Sequence, residues 1–128
     1  MTGPKMARKA LVYSCSGCSS AAQMANRIAI DLDRTGIAEM SCIAGIGGGV
    51  RPLIEKAKAA DTIVVLDGCK LRCAEHCLNR EGLASHIHYD LSEWGIRKRY
   101  HEDFDPKEAE SMRSLIEKDL ASARNGGR

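Results

Sequence analysis

The sequence lacks a long apolar run and lacks a large excess of charge of either sign. No segment approaches the roughly 20 apolar residues that a membrane-spanning helix needs, and the basic start, MTGPKMARK, is not followed by the apolar stretch of a signal peptide. The 19 basic and 17 acidic side chains give a net charge of +2, which gives no reason to expect binding to nucleic acid or to a membrane surface. We therefore expect a cytoplasmic protein with neither partner, in which the basic run 97–99 is a solvated turn.

The motifs of several common activities are also missing. No cysteine has an arginine six residues further on, which disfavours phosphatase chemistry of the Cys-x5-Arg kind. The glycines of residues 45–49 follow the second predicted strand with the wrong spacing for a dinucleotide-binding loop. The histidines form no metal-binding spacing, and we predict structural or surface roles for His76, His86, His88 and His101. We assign no catalytic residue, and a binding role is favoured over enzymatic activity.

Short apolar segments alternate with amphipathic ones, and at 128 residues the chain suits one domain with one core. The apolar, β-branched run TIVVL is typical of a strand buried on both faces of a parallel sheet. Predicted strands cover residues 10–14, 37–43, 62–66 and 87–91. A first helix lies between Ser20 and Gly36, and further helices cover residues 52–60, 70–81 and 106–124.

Strands that alternate with helices through short connections form parallel sheets with right-handed crossovers, which place helices on both faces. The prediction is therefore an α/β three-layer sandwich with a short parallel sheet, Rossmann-like or flavodoxin-like, in strand order 2-1-3-4. In this order the first and third strands are neighbours whose crossovers leave in opposite directions, which opens a crevice at their carboxyl ends. We expect a single domain over residues 10–124, a flexible segment over 1–9 and a disordered tail over 125–128.

Cysteine is the residue type that stands out, with six copies. A reducing cytoplasm disfavours structural disulfides, so metal binding or thiol chemistry is the preferred explanation. The cysteines follow three successive predicted strands: Cys15 and Cys18 the first, Cys42 the second, and Cys69, Cys73 and Cys77 the third. Because the carboxyl ends of parallel strands meet at one edge of a sheet, all six are predicted to lie together. Cysteines that merely filled the core would be scattered along strands and inner helix faces.

Four of these cysteines could together form a complete shell of ligands around one metal ion. Cys69 and Cys73 are one turn apart in the predicted helix and can share a metal ion, and Cys69 lies near the helix start, where thiolate is favoured. Cys15 has the equivalent position after the first strand, and Cys42 arrives from the second strand. Four thiolates match the tetrahedral demand of zinc, so these four cysteines are the predicted ligands of a Zn²⁺ ion.

The remaining two cysteines are additional candidate ligands. The Cys-x-x-Cys spacing of Cys15 and Cys18 suits either a metal knuckle or a redox pair. Cys77 and Cys69 cannot easily share one ion, because eight residues of helix rise about 12 Å. A buried apolar role is at least as well supported for Cys77.

Two neighbouring features are candidates for supporting roles. The glycines at 45 and 47–49 either bring backbone N–H groups close to the site or form a flexible turn. Asp67, which ends the third predicted strand, either orients a group of the site or acts as a cap or turn former.

One combination of segments resembles the DGC-domain family. It comprises Asp67-Gly68-Cys69 followed by Cys73, the turn Cys15-Ser16-Gly17, the segment 42–47 and the segment Gly95-Ile96-Arg97-Lys98. The resemblance covers residues 11–98 and implies a zinc-binding protein with four characteristic cysteines. By motif these fall on Cys15, Cys42, Cys69 and Cys73. Cys18 and Cys77 go beyond that pattern and leave open a larger cluster or a redox role.

Three functions are therefore compared. The leading hypothesis is a small cytosolic metal-binding protein with a four-cysteine zinc site that serves structure, metal handling or sensing. Its closed shell leaves no position for water or substrate, which argues against hydrolysis. The second is a thiol-based redox protein or enzyme with Cys15, Cys18, Cys69 or Cys73 as a nucleophile of low pKa. The third is an iron–sulfur protein, since four or more thiolates can also hold a cluster.

Overall fold

The computed structural model describes residues 10–125. The predicted flexible segment 1–9 and residues 126–128 of the predicted tail lie outside this range. The described strands are β1 (Ala10–Ser14), β2 (Glu39–Met40), β3 (Thr62–Asp67) and β4 (Ile87–Asp90). The described helices are α1 (Ser20–Arg34), α2 (Ile43–Gly47), α3 (Arg51–Lys58), α4 (Cys73–Arg80) and α5 (Pro106–Asn125), with a short 3-10 helix at Leu91–Trp94. Asn125, predicted to begin the tail, is therefore the last residue of a helix.

The strands form one parallel sheet in the order β2-β1-β3-β4. Val12 of β1 pairs with Met40 of β2 on one side and with Val64 of β3 on the other, and Val64 also pairs with Ile87 of β4. Helices cover both faces, so the α/β class, the three layers and the predicted strand order are confirmed. β1 and β3 occupy the centre, and the loops that follow them leave from adjacent strand ends.

Alternate residues of the central strands belong to two apolar clusters, one on each face of the sheet. Val12 and Val64 belong to the cluster beneath α1 and α5. Leu11 and Val65 belong to the cluster beneath α2, α3 and α4. Because side chains of a strand point alternately to opposite faces, a strand buried on both faces must be apolar at every position. This is why the third strand shows no alternation in the sequence.

Each of the two long helices begins directly after a capping residue. Ser19 accepts a hydrogen bond from the N–H of Ala22 at the start of α1, and Gly36 follows the helix with a φ of 80°. Asp105 accepts from the N–H of Lys107 at 2.9 Å and opens α5. The inner face of α5 is an apolar stripe, with Ala109, Met112, Ile116 and Leu120 buried.

Two predicted strands are longer than those observed. β2 comprises only Glu39–Met40 instead of residues 37–43, because the chain leaves the sheet edge there and turns into α2. β4 stops at Asp90, whose carboxylate accepts from the N–H of Ser92 at 2.9 Å and starts the 3-10 helix. The predicted loop after β4 therefore begins with a helical turn.

Candidate functional site

The loops after β1, β2 and β3, together with α4, carry all six cysteines, and we call this region the cysteine edge. Cys15 and Cys18 lie between β1 and α1, Cys42 precedes α2, Cys69 follows β3, and Cys73 and Cys77 lie on α4. All six are free thiols. Three of them are half-buried, namely Cys15, Cys69 and Cys77, and the other three are exposed.

Cys15 is held against the end of β3. Its backbone N–H donates to the carbonyl of Leu66 at 3.2 Å, and its Sγ accepts from the N–H of Gly68 at 3.3 Å. Burial raises the pKa of the Cys15 thiol, the Gly68 N–H opposes this rise, and negative charge on Asp67 and Cys73 reinforces it. Cys15 is therefore poorly suited to be a nucleophile of low pKa, whereas a cation beside it would favour its thiolate.

Gly68 occupies a position with no room for a side chain. A Cβ atom there would lie 2.7 Å from the backbone C of Ala21 and from the backbone N of Ala22. Since these are backbone atoms of α1, no change of rotamer could relieve the contact. The missing side chain lets the loop after β3 pack on α1 and present its N–H to Cys15.

Asp67 is only 1% exposed, and its carboxylate anchors the start of α4. Oδ1 accepts from the N–H of Ala74 at 2.9 Å, and Oδ2 accepts from the N–H of Glu75 at 3.3 Å. These N–H groups belong to the first turn of the helix, where no partner exists within the helix itself. Oδ2 also lies 2.8 Å from Nε2 of His88, a residue whose sequence position gave no sign of a link to the site.

Cys69 lies in a turn and not on the predicted helix. The N–H of Arg72 donates to the carbonyl of Cys69 at 3.1 Å, and Arg72 has a left-handed backbone with a φ of 51°. α4 begins only at Cys73, because its first-turn N–H groups are directed at the carboxylate at the end of β3. The two cysteines that lie one turn apart on a helix are therefore Cys73 and Cys77.

Lys98 contacts Cys69, and the spacing of the histidines and cysteines in the sequence gave no sign of this contact. Nζ of Lys98 lies 3.4 Å from Sγ of Cys69 and 5.4 Å from the ring centroid of Tyr100. Hydrogen bonds with Tyr100 and with Cys69 raise the pKa of Lys98. Positive charge beside a sulfur stabilises negative charge on it. The signal in the sequence was the segment 95–98, one of those that resemble the DGC-domain family.

Cys42 caps α2, which forms from the glycine-rich segment. Its Sγ accepts from the N–H of Gly45 at 3.4 Å. The glycines allow close packing around this short helix, since a Cβ at Gly45 would collide with Cδ1 of Leu53, and a Cβ at Gly47 would lie 3.1 Å from Sγ of Cys77. Gly45 and Gly47 therefore belong to a packed helix, in which the N–H of Gly45 points at a cysteine sulfur, whereas Gly48 and Gly49 form the turn that follows it.

The sulfurs are not arranged as a finished metal site. Within residues 10–125, no three Cys, His, Asp or Glu side chains are placed so that they could hold one ion together. Negative charge on Cys73 raises the pKa of both Cys15 and Cys77. Burial is the larger cause for Cys77, which packs against the apolar cluster beneath α2, α3 and α4.

The donor chemistry nevertheless fits a thiolate-bound metal. The sulfurs of Cys15, Cys42 and Cys69 each accept a hydrogen bond from an N–H or ammonium group. Hydrogen bonds of this kind balance the negative charge that thiolate ligands place around a divalent ion. Of the four predicted ligands, Cys42 and Cys73 are the exposed ones.

Comparison with known proteins identifies the family. A family model described as the DGC domain matches residues 11–116. The chain belongs to the DGC-domain family. It is similar to the "Anaerobic and virulence modulator AnvM" of Pseudomonas aeruginosa, with 50% identity over 102 residues, which are 80% of this chain and 78% of the relative. No solved structure matches the chain.

The tripeptide that names the DGC domain has three distinct physical roles in this protein. Asp67 caps α4, Gly68 packs on α1 and donates its N–H to Cys15, and Cys69 contacts Lys98. Of these roles, that of Gly68 excludes any side chain, because a Cβ atom there would lie 2.7 Å from backbone atoms of α1. Within residues 10–125 of this DGC-domain protein, no helix is long and apolar enough to cross a membrane.

Proposed function

We propose that the cysteine edge of this DGC-domain protein binds a zinc ion and that the protein is a small regulatory module. The proposed ligands are Cys15, Cys42, Cys69 and Cys73. The proposal rests on the donors already directed at three of these sulfurs, which are the N–H of Gly68, the N–H of Gly45 and the ammonium of Lys98, at 3.3, 3.4 and 3.4 Å. Such donors offset the excess negative charge of four thiolates around a divalent ion.

Zinc would supply a closed tetrahedral centre that joins the loops after three strands without redox chemistry. Cys15, Cys42 and Cys69 are anchored by hydrogen bonds to their sulfurs, whereas Cys73 is exposed and can turn toward them. Because each ligand must lose its proton on binding, the raised pKa of Cys15 makes zinc uptake release protons and weaken as pH falls.

The regulatory role is extended from a relative. The Pseudomonas aeruginosa protein with 50% identity is named a modulator, and we carry over that role without its biological setting. A closed four-thiolate shell leaves no coordination position for a substrate, which favours regulation over hydrolysis. We also propose a cytoplasmic location, since free thiols persist in a reducing compartment.

Metal content tests the zinc proposal. Tag-free protein purified without oxygen should contain about one zinc per chain and show no visible absorption band. Cys69→Ser and Cys73→Ser should abolish zinc binding, whereas Cys77→Ser, the half-buried control on the same helix, should retain it. Equal loss from Cys77→Ser would contradict the ligand assignment. Brown protein that contains iron and sulfide would instead indicate an iron–sulfur cluster in place of zinc.

A second candidate function is thiol chemistry at Cys69, and the contact with Lys98 favours it. The ammonium of Lys98 lies 3.4 Å from the sulfur of Cys69 and donates a hydrogen bond to it, which favours chemistry at this cysteine in the metal-free protein. Iodoacetamide should then modify Cys69 near neutral pH faster than it modifies the exposed Cys18. Lys98→Gln should slow this reaction, and Lys70→Gln, which removes a neighbouring exposed charge, should not. Uniform protection of the cysteines in metal-free protein would contradict this candidate.

A further inference from the structure

A path of hydrogen bonds connects β4 with the loop that carries Cys69 and Cys73. Nη2 of Arg72 lies 2.7 Å from Nδ1 of His88, and Nε2 of His88 lies 2.8 Å from Oδ2 of Asp67. The side chain of Asp67 is 1% exposed and that of His88 is 10% exposed. The contact between these two is therefore shielded from water and is stronger than a surface pair.

The chemistry of the end groups fixes the direction of these hydrogen bonds. A guanidinium has only N–H donors, so Nδ1 of His88 must accept from Arg72. The ring proton then lies on Nε2 and is donated to the carboxylate of Asp67. That carboxylate also accepts from the N–H groups of Ala74 and Glu75, so it connects the histidine to the first turn of α4.

Each end of this path borders a proposed metal ligand, because Asp67 precedes Cys69 by two residues and Arg72 directly precedes Cys73. The left-handed backbone of Arg72, with a φ of 51°, is unfavourable for a residue with a side chain and persists where its surroundings hold it. We propose that Asp67, His88 and Arg72 are positioning residues that set the spacing of Cys69 and Cys73. The inference rests on the function proposed above for those two cysteines.

Two matched controls separate positioning from general stability. Asp90 pairs with Asp67 in the sheet, is 4% exposed and caps the 3-10 helix through the N–H and hydroxyl of Ser92, at 2.9 and 2.6 Å. His86 precedes the amino end of β4, opposite to the cysteine edge, and accepts from the N–H of Ile63 at 2.9 Å. Asp90→Asn therefore disturbs a comparable buried carboxylate at the neighbouring strand end, and His86→Leu disturbs a comparable histidine contact at the opposite end of β4.

The first readout needs no metal. In reduced, metal-free protein, mass spectrometry measures the alkylation rate of Cys69 relative to that of the exposed Cys18. His88→Leu should raise this ratio about tenfold, since it removes hydrogen bonds to charged groups that hold the half-buried turn. His88→Gln can still donate to Asp67 and accept from Arg72, so it should restore the ratio. His86→Leu should leave the ratio unchanged.

Cobalt(II) supplies the second readout. The intensity of thiolate-to-cobalt absorption reports the arrangement of the sulfurs, and a titration gives the apparent affinity. His88→Leu should weaken cobalt binding about tenfold, and His88→Gln should bind like the wild type. Arg72→Asn keeps a residue that tolerates the left-handed backbone and removes the guanidinium from an exposed position. Arg72→Asn should change both readouts in the same direction as His88→Leu. It therefore tests the proposal even if His88→Leu folds poorly.

The outcomes distinguish this proposal from the metal proposal. Wild-type protein that takes up no cobalt would contradict the proposed metal site, while the alkylation ratio would still report on the positioning residues. Unchanged ratios in both His88→Leu and Arg72→Asn would overturn the positioning role. An equal change in Asp90→Asn would also overturn it, because the thiols would then be responding to a general loss of stability.

Discussion

Gly68 donates its backbone N–H to the sulfur of Cys15 at 3.3 Å, across 53 residues of sequence. The contact joins the loops after β1 and β3, which are neighbouring parallel strands. It depends on the close approach of Gly68 to the backbone of α1. The arrangement of the thiols is therefore determined by backbone packing as well as by the positions of the cysteines.

Gly68→Ala should destabilise the protein by about 2–3 kcal/mol, because its Cβ would overlap backbone atoms of α1 that cannot move independently. It should also displace the N–H from Cys15 and lower metal content. Chemical denaturation and elemental analysis measure the two effects. Gly17→Ala is the control, since a Cβ at Gly17 would make only an ordinary contact of 3.5 Å with Ala22. Equal stability of the two variants would contradict this account.

The sequence was sufficient to predict the fold class and the strand order. Apolar periodicity, helix caps and the rules for parallel connections are local or general, and they do not depend on particular long-range contacts. The α5 cap at Asp105 and the apolar run of β3 are examples. The brevity of β2 was not predictable in this way, because it depends on where the chain leaves the sheet edge.

The details of the site were less predictable. Glycine is a poor helix former, yet α2 contains Gly45, where a Cβ atom would collide with Leu53, and Gly47, where it would make a tight contact with Cys77. The late start of α4 depends on Asp67, which lies outside the helix, and the contact of Lys98 with Cys69 joins residues that are distant in sequence. Local propensity contains no information about such partners, so the sequence located the thiols but not the groups that surround them.

Metal should stabilise the folded protein, by an amount that grows with the logarithm of its affinity. A ligand that binds only the native state adds about 2.7 kcal/mol to the free energy of unfolding when its free concentration is about 100 times its Kd. Zinc should therefore raise the melting temperature of metal-free wild-type protein, and a chelator should reverse the rise. Cys69→Ser should show no such response. An identical zinc-induced rise in Cys69→Ser would contradict its assignment as a ligand.

Alkaline pH should destabilise the fold through Tyr89, which donates its hydroxyl to Asp119 on α5. Burial and the Asp119 carboxylate raise the pKa of Tyr89 above its ordinary value of 10.0. The stability contributed by the protonated Tyr89 is fully present below the pKa of tyrosine in the unfolded chain, near 10. It is lost as pH rises toward the higher pKa of the folded protein, because the unfolded chain releases the proton first. The free energy of unfolding, measured from pH 8 upward, should therefore fall above about pH 10.

Two variants identify the groups responsible. Tyr89→Phe removes the titrating hydroxyl and should reduce the alkaline loss of stability. At neutral pH it should lower the free energy of unfolding by only about 0.5–1 kcal/mol, because Asp119 is exposed and can form hydrogen bonds with water instead. Asp119→Asn keeps an acceptor and removes the charge, so it should reduce the alkaline loss by less than Tyr89→Phe. The same alkaline profile in all three proteins would exclude Tyr89 as the cause.

The tautomer of His88 can be measured directly. Nδ1 of His88 accepts from Arg72, so long-range ¹H–¹⁵N correlation spectra should show the proton on Nε2. His86 is an internal reference, because its Nδ1 accepts from the N–H of Ile63 and its proton should also lie on Nε2. Arg72→Asn should weaken the tautomer preference of His88 and leave that of His86 unchanged. A proton on Nδ1 of His88 in the wild type would leave Nε2 without a proton to donate to Asp67. The loop with Cys69 and Cys73 would then need another anchor.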